Sequence, residues 1–540
     1  MAVDNAQYLE QDLRRFVLEG SLNTVFGTFI GGTFLVGFAL SLGAEGSHIG
    51  LLASLPPLLN LVQIVGSYLV SRVGSAKTVC LAASLGFRAV WLLILLAPWL
   101  LLRTTLGFPI LFLLIGIAAA SLFASLSGIA WMSWITPLVP EEIRGKFFGH
   151  RSMVASAVGM IAALLGGRFI DWWQQTYPEA EVTGFSWLFL VGAVFGIIGW
   201  VVLSRISDAR QESKPATGGY IRQLTEPFHH PGFRKWMGFS VLWSFSVGIA
   251  SPFFSVFMIT NLGLPFSLIA LFGLVSGVTS TLGMRLWGGL LDEIGSKPLL
   301  LLCSIGGGAI PILWLFAVPG SYWILWPIHV LTGIFWSGIG LASSHLLMGT
   351  APRQNSGTFF AVFAGITGLA GAAAPVVGGV VAGLLSSIEI TLGPIHISSL
   401  HWVFVITTLL RLGSLAAFRS VPAARDMPQR EVLQKLRSLA LFPMARGSQQ
   451  LVGIGIQSLE SSFGFLTQGS QQMEHRMGLL IDRGSHAATY VRDRSRRVED
   501  HVDRRIHRWE SFLDRVSEPI ARWGRKAYRF LTQENDDDDK

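Results

Sequence analysis

The 540-residue chain contains little charge and almost no cysteine. Asp, Glu, Lys and Arg together make up 14% of it, whereas a soluble domain carries about 25%. The two cysteines, Cys80 and Cys303, lie near the starts of apolar segments, without the neighbours that a thiolate nucleophile or a metal site needs. The sequence therefore argues against a large soluble protein, a disulfide framework and a cysteine-based enzyme.

The sequence also lacks the motifs of enzymes and of ATP-driven pumps. No Gly-rich loop is followed by Lys and Ser or Thr, and its histidines and acids do not cluster at metal-ligand spacing. The run Gly306-Gly307-Gly308 lies within an apolar segment and suits close helix packing better than phosphate binding. We expect no enzymatic activity, no cofactor and no metal.

Long apolar stretches dominate the chain instead. Hydrophobic residues make up 51% of it, and the mean hydropathy is +0.52. The stretches have about the 20 residues that a helix needs to cross a bilayer. We predict an all-α, polytopic membrane protein with twelve transmembrane helices, near residues 16–42, 47–71, 77–102, 107–134, 147–170, 184–206, 236–261, 266–291, 298–318, 321–349, 356–385 and 399–419.

The loops between these spans differ in charge. If the N-terminus lies inside, the inside loops contain most of the Lys and Arg, whereas the largest outside loop contains Asp171, Glu179 and Glu181. The positive-inside rule then predicts that both termini are cytoplasmic, and we expect an integral protein of a bacterial inner membrane. The polar, acidic residues 1–15 do not resemble a cleavable signal. The net charge of +8 reflects topology, and we expect no nucleic-acid partner.

Two junctions between spans occur twice in the chain. The loop that begins at Pro140 recurs at Pro352, and the loop at Gly74 recurs at Gly295, with a slightly larger offset between the copies. A duplicated six-helix bundle explains both matches. The predicted domains are an N-terminal bundle (1–206), a cytoplasmic linker (207–235), a C-terminal bundle (236–419) and a cytoplasmic amphipathic helical tail (420–540).

A loop in the second half carries the most specific resemblance to a known family. It reads Gly288-Gly-Leu-Leu-Asp-Glu-Ile-Gly-Ser-Lys297 and is similar to the Gly-x-Leu-x-Asp-Arg-x-Gly-Arg-Lys loop of the major facilitator superfamily, with Asp292 and Gly295 in place. Glu293 and Ser296 stand where the family has arginines. With the twelve spans, the 6+6 repeat and the long linker, the resemblance covers about residues 10–420.

The first-half copy of this loop is degenerate. It keeps Arg72 and Gly74 but has Ser71 at the position of the family's aspartate, which helps to lock the cytoplasmic gate. The resemblance implies the major facilitator fold of two pseudo-symmetric six-helix bundles. It also implies that a small-molecule substrate is moved by alternating access, through a gate at these loops. Any lock of that gate would depend on the second half, at Asp292 and Gly295.

The resemblance further implies that spans 1, 4, 7 and 10 line a central cavity. Ser133 and His345 are related by the same offset as Pro140 and Pro352, and should face each other there. An imidazole can change charge near neutral pH and so modulate binding; the alternative is a packing histidine bonded to a backbone carbonyl. The polar and aromatic residues predicted to bind substrate are Asn23, Thr28, Ser125, Trp131, Ser133, Trp243, Ser246, Trp336, Ser337 and His345.

Charged residues inside the predicted spans are candidates for function, because a charge in a membrane is costly. Glu19 lies about one turn into span 1, and Arg88 lies half-way along span 3. We predict that the two interact, either as a structural ion pair or as a proton-coupling site. Arg285 and Arg411, in spans 8 and 12, are interpreted as structural or as arginines that snorkel to the interface.

The tail falls outside the resemblance. From about residue 471 to 532 its apolar residues recur at spacings of three, four and seven, with Trp509 and Trp523 among them and arginines on the other faces. This stripe could form a coiled coil with a partner or with itself, lie on the membrane, or fold back onto the bundles. Residues 536–540 match an enterokinase site and are left out of the functional argument.

Two functions fit these patterns. The first is secondary active transport of a small organic or amphipathic solute, with coupling to an ion gradient as an option. The second is a transporter-like scaffold or assembly factor that recruits a partner through its tail. Polar residues on the cavity-lining spans and the Asp292 loop favour transport, whereas the degenerate loop at Ser71 and the scarcity of buried acids favour the scaffold.

Overall fold

The apolar stretches of the sequence fold into long helices. The computed structural model describes residues 2–101, 108–208, 220–352, 356–388, 390–392, 395–397 and 399–421. All of them belong to one compact unit, Met1–Met427. The predicted tail, apart from residues 420 and 421, and residues 209–219 of the predicted linker lie outside the described residues.

The first half contains six membrane crossings, two of which are split. Crossing 1 breaks at Gly31 and Gly32, where Gly32 has a φ of +53°, a conformation that favours glycine. Crossing 2 breaks at a 3-10 turn, Asn60–Val62, just after Pro56 and Pro57. The helices are α1 (Ala2–Ile30), α2 (Gly32–Ser41), α3 (Gly46–Leu59), α4 (Gln63–Val73), α5 (Ala76–Leu101), α6 (Phe108–Leu138), α7 (Glu141–Thr176) and α8 (Glu181–Ser204).

The second half contains six more crossings, of which the first is also broken. Its helix ends before Pro252, and a short helix and a π-helical turn, Phe257–Asn261, complete the crossing. The helices are α9 (Tyr220–His229), α10 (Pro231–Ala250), α11 (Phe253–Val256), α12 (Phe266–Ile294), α13 (Ser296–Leu313), α14 (Leu325–Thr350), α15 (Ser356–Leu384) and α16 (Ser399–Phe418).

The chain is not helical throughout. An antiparallel hairpin of two short strands, β1 (Ile390–Leu392) and β2 (Ile395–Ile397), connects crossings 11 and 12. Eleven crossings are long and apolar enough to span a membrane, and the remaining one is crossing 2, whose apolar part Gly46–Val62 is shorter. The fold is thus the predicted all-α arrangement of twelve crossings, with one small hairpin added.

The ends of the helices reproduce the offsets of the sequence repeat. Helices α6 and α14 end at Leu138 and Thr350, each two residues before a repeated proline. Helices α4 and α12 are each followed directly by a repeated glycine with positive φ. Gly74 donates its N–H to the carbonyl of Val70 (3.1 Å), and Gly295 donates to that of Leu291 (2.9 Å). The repeated glycines therefore end equivalent helices in the two halves.

Two sides of the helical bundle are used below. We call the side at which α1 begins, and at which α4, α6 and α8 end, the proximal side. The side at which α2 and α7 end, and at which α12 begins, is the distal side. The first half comprises α1–α8, and the second half comprises α10–α16.

Candidate functional site

The two halves pack most closely on the distal side, where glycines allow backbone contact. A methyl group on Gly50 in α3 would collide with the carbonyl oxygen of Pro375 in α15. A methyl group on Gly167 in α7 would collide with the backbone of Phe266 in α12. Small residues are what membrane helices need for such an approach. These two contacts join the halves at two separate helix pairs.

A carboxylate of one half caps a helix of the other. Asp171, near the distal end of α7, is buried and accepts the N–H of Phe266 at 2.6 Å and that of Ser267 at 3.0 Å. These are the first N–H groups of α12, which have no partner within their own helix. The negative charge also interacts favourably with the positive end of the helix dipole. The sequence predicts Asp171 only as part of an acidic outside loop.

Aromatic rings complete the contact. Phe266 stacks on Phe34 at 6.1 Å between ring centroids and meets Phe185 edge to face at 5.4 Å. Beside them the hydroxyls of Thr33 and Ser255, one from each half, lie 3.4 Å apart. We call this surface the distal seal, comprising Gly50, Pro375, Gly167, Asp171, Phe266, Phe34, Phe185, Thr33 and Ser255.

A cavity of about 430 Å³ adjoins the distal seal, between crossings 1, 5 and 8. The broken part of crossing 1, at Gly31 and Gly32, lines it together with Thr28. The other walls consist mainly of small or flexible side chains: Ser156, Gly159, Met160, Ala163, Ile269, Ala270, Gly273 and Leu274. Irregular backbone within a membrane occurs where it lines a cavity, and the volume suits a small organic ligand.

Of the predicted binding residues, Thr28 therefore lines this cavity. The Gly31 break and the wall from crossings 5 and 8 were not predicted. Gly159 and Ala163 lie four residues apart in the sequence and Ala270 and Gly273 three apart, but such pairs of small residues also fit simple helix packing.

The proximal parts of α14 and α7, one helix from each half, carry exposed residues. Gly340, Ser344 and His345 are exposed in α14, and Gly149 and His150 are exposed in α7. The halves thus make their tight contacts on the distal side and present accessible polar residues on the proximal side. His345 lies on this accessible part of α14.

Glu19 forms a salt bridge with Arg151 rather than with Arg88. Its carboxylate is buried in α1 and lies 3.2 Å from the guanidinium of Arg151 in α7. That guanidinium also lies 4.9 Å from the ring centroid of Trp131. Among the described residues no direct salt bridge joins Glu19 to Arg88, whose donors bond to other oxygens, although the two charges interact through space. The predicted contact through one water stays a prediction.

Arg88 instead ties three helices of the first half together. It donates to the carbonyl of Gly196 in α8 at 2.6 Å, to that of Ser84 at 2.8 Å and to the side-chain oxygen of Asn23 at 3.2 Å. Asn23 is exposed in α1, so its side chain links the buried arginine to the protein surface. The guanidinium also lies 5.6 Å from the ring centroid of Phe26.

Arg411 has a comparable place in the second half. It is 3% exposed in α16, so the interpretation as a snorkelling arginine is wrong. It donates to the carbonyl of Gly307 in α13 at 3.2 Å and to that of Val247 in α10 at 3.5 Å. The ring of Trp336 in α14 lies 5.9 Å from its guanidinium, and Trp243 packs on Trp336 at 6.4 Å.

The predicted serines bond mostly to their own helices. Ser133, Ser246 and Ser337 donate to the carbonyls of Ile129, Trp243 and Ile334, each less than two turns away. Such bonds satisfy a hydroxyl inside a membrane helix without a ligand. Ser125 is buried and donates to the side chain of Asn60 at 2.9 Å. These hydroxyls thus have partners within the protein, and substrate binding by them stays a prediction.

Comparison with known proteins decides the family. The sequence profile of the Major Facilitator Superfamily matches residues 20–375 and 240–474. The chain belongs to the major facilitator superfamily. The Multi-drug resistance efflux pump PmrA of Streptococcus pneumoniae serotype 4 is 29% identical over 127 residues, which is 23% of this chain and 31% of the pump. The match thus spans about a third of the length of the curated relatives.

Solved structures of this superfamily share the fold. A D-xylose–proton symporter superposes with a TM-score of 0.57 at 16% identity, covering 78% of this chain and 100% of the symporter. The nucleoside transporter NupG gives 0.54 at 15%, over 77% and 98% of the two chains. A bacterial Spinster homologue, solved inward-facing and unoccupied, gives 0.54 at 16%, over 77% and 95%. At these identities the likeness concerns the fold alone.

The two loops that resemble the superfamily's gating loop lie on the proximal side, at the turns after α4 and α12. Arg72 and Asp292 are exposed there, and Gly74 and Gly295 form the two turns. In this conformation the tight contacts of the halves are at the distal seal, at the other end of the bundle.

Proposed function

We propose that this chain is a secondary active transporter that moves a small organic or amphipathic solute by alternating access. The distal seal carries the proposal, because it closes the bundles against each other on one side only. Rocking of residues 1–206 against 236–419 would open it and close the proximal side. A scaffold needs neither a cavity nor a one-sided seal, so transport is preferred to the assembly-factor alternative.

The cavity beside the broken crossing 1 is the proposed substrate site. Thr28, Thr33 and Ser156 offer hydroxyls, while Met160 and the small residues around it offer an apolar wall. A site of this composition suits a solute with a polar end and an apolar body. The similar proteins named above handle D-xylose, nucleosides and multiple drugs, a range that supports the same broad class.

Glu19 is the proposed coupling residue. Its carboxylate holds Arg151, so it joins the first and fifth crossings while it is ionised. Protonation would remove the charge that attracts Arg151 and would free these two helices to move apart. A proton gradient could thereby drive the conformational cycle. Asn23 and Arg88 would keep α1 attached to the rest of the first half during this step.

We further propose a bacterial inner membrane as the location and a cytoplasmic proximal side. Arg15, Lys77 and Arg144 lie at that side, in agreement with the positive-inside rule. Both termini would then be cytoplasmic. The tail of residues 420–540 would be available there for self-association or for a protein partner.

Proteoliposomes with an imposed pH gradient test transport and coupling together. The probes are radiolabelled D-xylose, radiolabelled adenosine and the fluorescent dye ethidium, chosen as a sugar, a nucleoside and an amphipathic solute. We expect gradient-dependent movement of at least one of them. Glu19→Gln should abolish accumulation but keep exchange of labelled for unlabelled solute, because exchange needs no net proton movement.

The matched control is Glu179→Gln, which removes an exposed carboxylate outside the described salt bridges. It should leave both accumulation and exchange unchanged. Accumulation by the Glu19→Gln protein at the parent rate would contradict the coupling role. Failure of these three probes and of radiolabelled benzoate, an organic anion, to move in the parent protein would contradict the proposed substrate class.

A further inference from the structure

The second half contains a buried arginine, Arg411, and few acidic residues that could balance its charge. Residues 231–419 include three acidic residues, Asp292, Glu293 and Glu389. Asp292 and Glu293 lie in the last turn of α12, and Glu389 directly precedes β1 in the sequence. Arg411 lies within crossing 12 and is 3% exposed. A buried charge that lacks a counter-charge is strongly destabilising. Arg411 therefore needs an explanation beyond helix packing.

The guanidinium of Arg411 is only partly used by the protein. Its two terminal nitrogens donate to the carbonyls of Gly307 and Val247, the second at a long 3.5 Å. Among the described residues its Nε, which is also buried, has no hydrogen-bond partner. A planar guanidinium with a free N–H is suited to a planar oxyanion, which can accept two parallel bonds.

A second unpaired donor lies close by. The indole Nε1 of Trp243 is buried and likewise has no partner among the described residues. Trp243 packs on Trp336, and Trp336 in turn lies over the Arg411 guanidinium. Two buried residues that each have an N–H without a partner in the described part of the chain, one of them cationic, thus pack against the same indole ring. Buried donors in folded proteins are almost always paired, so this arrangement is unusual.

Trp336 connects this cluster with an accessible surface. It is half-buried, and Gly340 and Ser344 follow it at spacings of four residues, on the same face of α14. Both of these residues are exposed. The face runs from the proximal end of α14 to the ring that covers Arg411.

We propose that Arg411, Trp243 and Trp336 form an anion-binding subsite for the carboxylate, or a similar oxyanion, of an organic solute. The oxyanion accepts from Arg411 and Trp243, and the body of the solute lies against Trp336. The proposal rests on the proposed transport function and extends it: the transported solute would carry a negative charge. It is tested by equilibrium binding, so its failure can be told apart from a failure of transport.

The experiment uses the purified full-length chain in detergent and measures thermal unfolding midpoints and Kd by calorimetry. The organic probe is benzoate, and benzamide is its neutral counterpart of nearly the same shape. Inorganic phosphate and chloride form separate arms. We expect benzoate to bind and to raise the unfolding midpoint, and benzamide to do neither, because the subsite recognises the negative charge.

Three variants locate the binding. Arg411→Gln should weaken benzoate binding at least tenfold, since a charge-assisted bond is lost. Trp243→Phe keeps an aromatic side chain but removes the indole N–H, and should weaken binding about threefold to fivefold. Trp236→Phe is the matched control: its buried Nε1 is also unpaired among the described residues, but its ring packs on Phe239 and Phe363. It should bind benzoate like the parent.

The outcomes separate the sources of the anion. Protection by phosphate or chloride at similar concentrations, with the same loss in Arg411→Gln, would support the subsite and assign it to an inorganic ion. Equal binding of benzoate and benzamide would overturn the proposal. Unchanged benzoate binding in Trp243→Phe would also overturn it. This variant keeps Arg411 and an aromatic side chain at position 243, so it tests the proposal even if Arg411→Gln fails to fold.

Discussion

The two halves of the transporter use a buried arginine in the same way but from opposite helices. In the first half Arg88 comes from crossing 3 and donates to a carbonyl of crossing 6. In the second half Arg411 comes from crossing 12 and donates to a carbonyl of crossing 9. Crossings 3 and 9 are repeat equivalents, as are 6 and 12. The arginine and its acceptor have therefore exchanged places between the halves.

The halves differ more in counter-charge than in geometry. Arg88 bonds to two carbonyls and to the Asn23 amide oxygen. Its charge also interacts through space with the buried Glu19, whose direct partner is Arg151. Arg411 has two carbonyls and the face of Trp336. The comparison teaches that the same kind of buried position can hold an arginine with a carboxylate in its own half and an arginine without one. Only the second, Arg411, is proposed to bind an anion.

The largest effect should come from breaking the first half's ion pair. Arg151→Met leaves the buried Glu19 carboxylate without its direct partner, which should cost about 3 kcal/mol of unfolding free energy. Unfolding in mixed micelles measures it. Adding Glu19→Gln should restore part of the loss, and Arg168→Met, an exposed arginine of the same helix, should have little effect. Additive losses in the double variant would argue against the pair.

A direct comparison of the two arginines should give a smaller, asymmetric effect. Arg88→Met removes the donor from three oxygens and should cost about 2 kcal/mol. Arg411→Met removes a buried charge that lacks a carboxylate, so relief of its desolvation should offset the lost bonds and keep the cost below about 1 kcal/mol. The same unfolding assay measures both. Equal costs would remove the distinction between the halves.

The smallest effect should come from the contact that the first half makes with the second. Asp171→Asn keeps the size of the side chain but loses the charge that caps α12, a change worth about 1 kcal/mol. The distal seal should then open more often. Labelling of Ser255→Cys by a membrane-impermeant maleimide measures this and should become about fivefold faster. Glu179→Gln serves as the control, and an unchanged rate would mean that the cap does not hold the seal.

Much of the fold could be predicted from the sequence because its signals are local. Apolar length marks the crossings, Pro56, Pro57 and Pro252 mark breaks, and the repeated glycines at 74 and 295 mark equivalent helix ends. The break at Gly31 was missed, because a glycine pair in an apolar stretch also fits an unbroken, closely packed helix.

The candidate site depends on contacts between distant residues, and there the sequence was less informative. Glu19 and Arg88 stand out as charges within apolar stretches, whereas Arg151 follows a charged loop and looks like an interfacial residue. Nor does the sequence show that Asp171 meets the first N–H groups of a helix in the other half. Such pairings arise from the packing of one half on the other.

Locking the distal seal tests the central claim of alternating access most directly. Thr33 and Ser255 lie on different halves with their hydroxyls 3.4 Å apart, so Thr33→Cys and Ser255→Cys together should be readily cross-linked. Transport of whichever probe the proteoliposomes accumulate should fall at least tenfold on cross-linking and recover on reduction, with both single variants unaffected by the same treatment. Transport at the parent rate with the seal cross-linked would contradict the account.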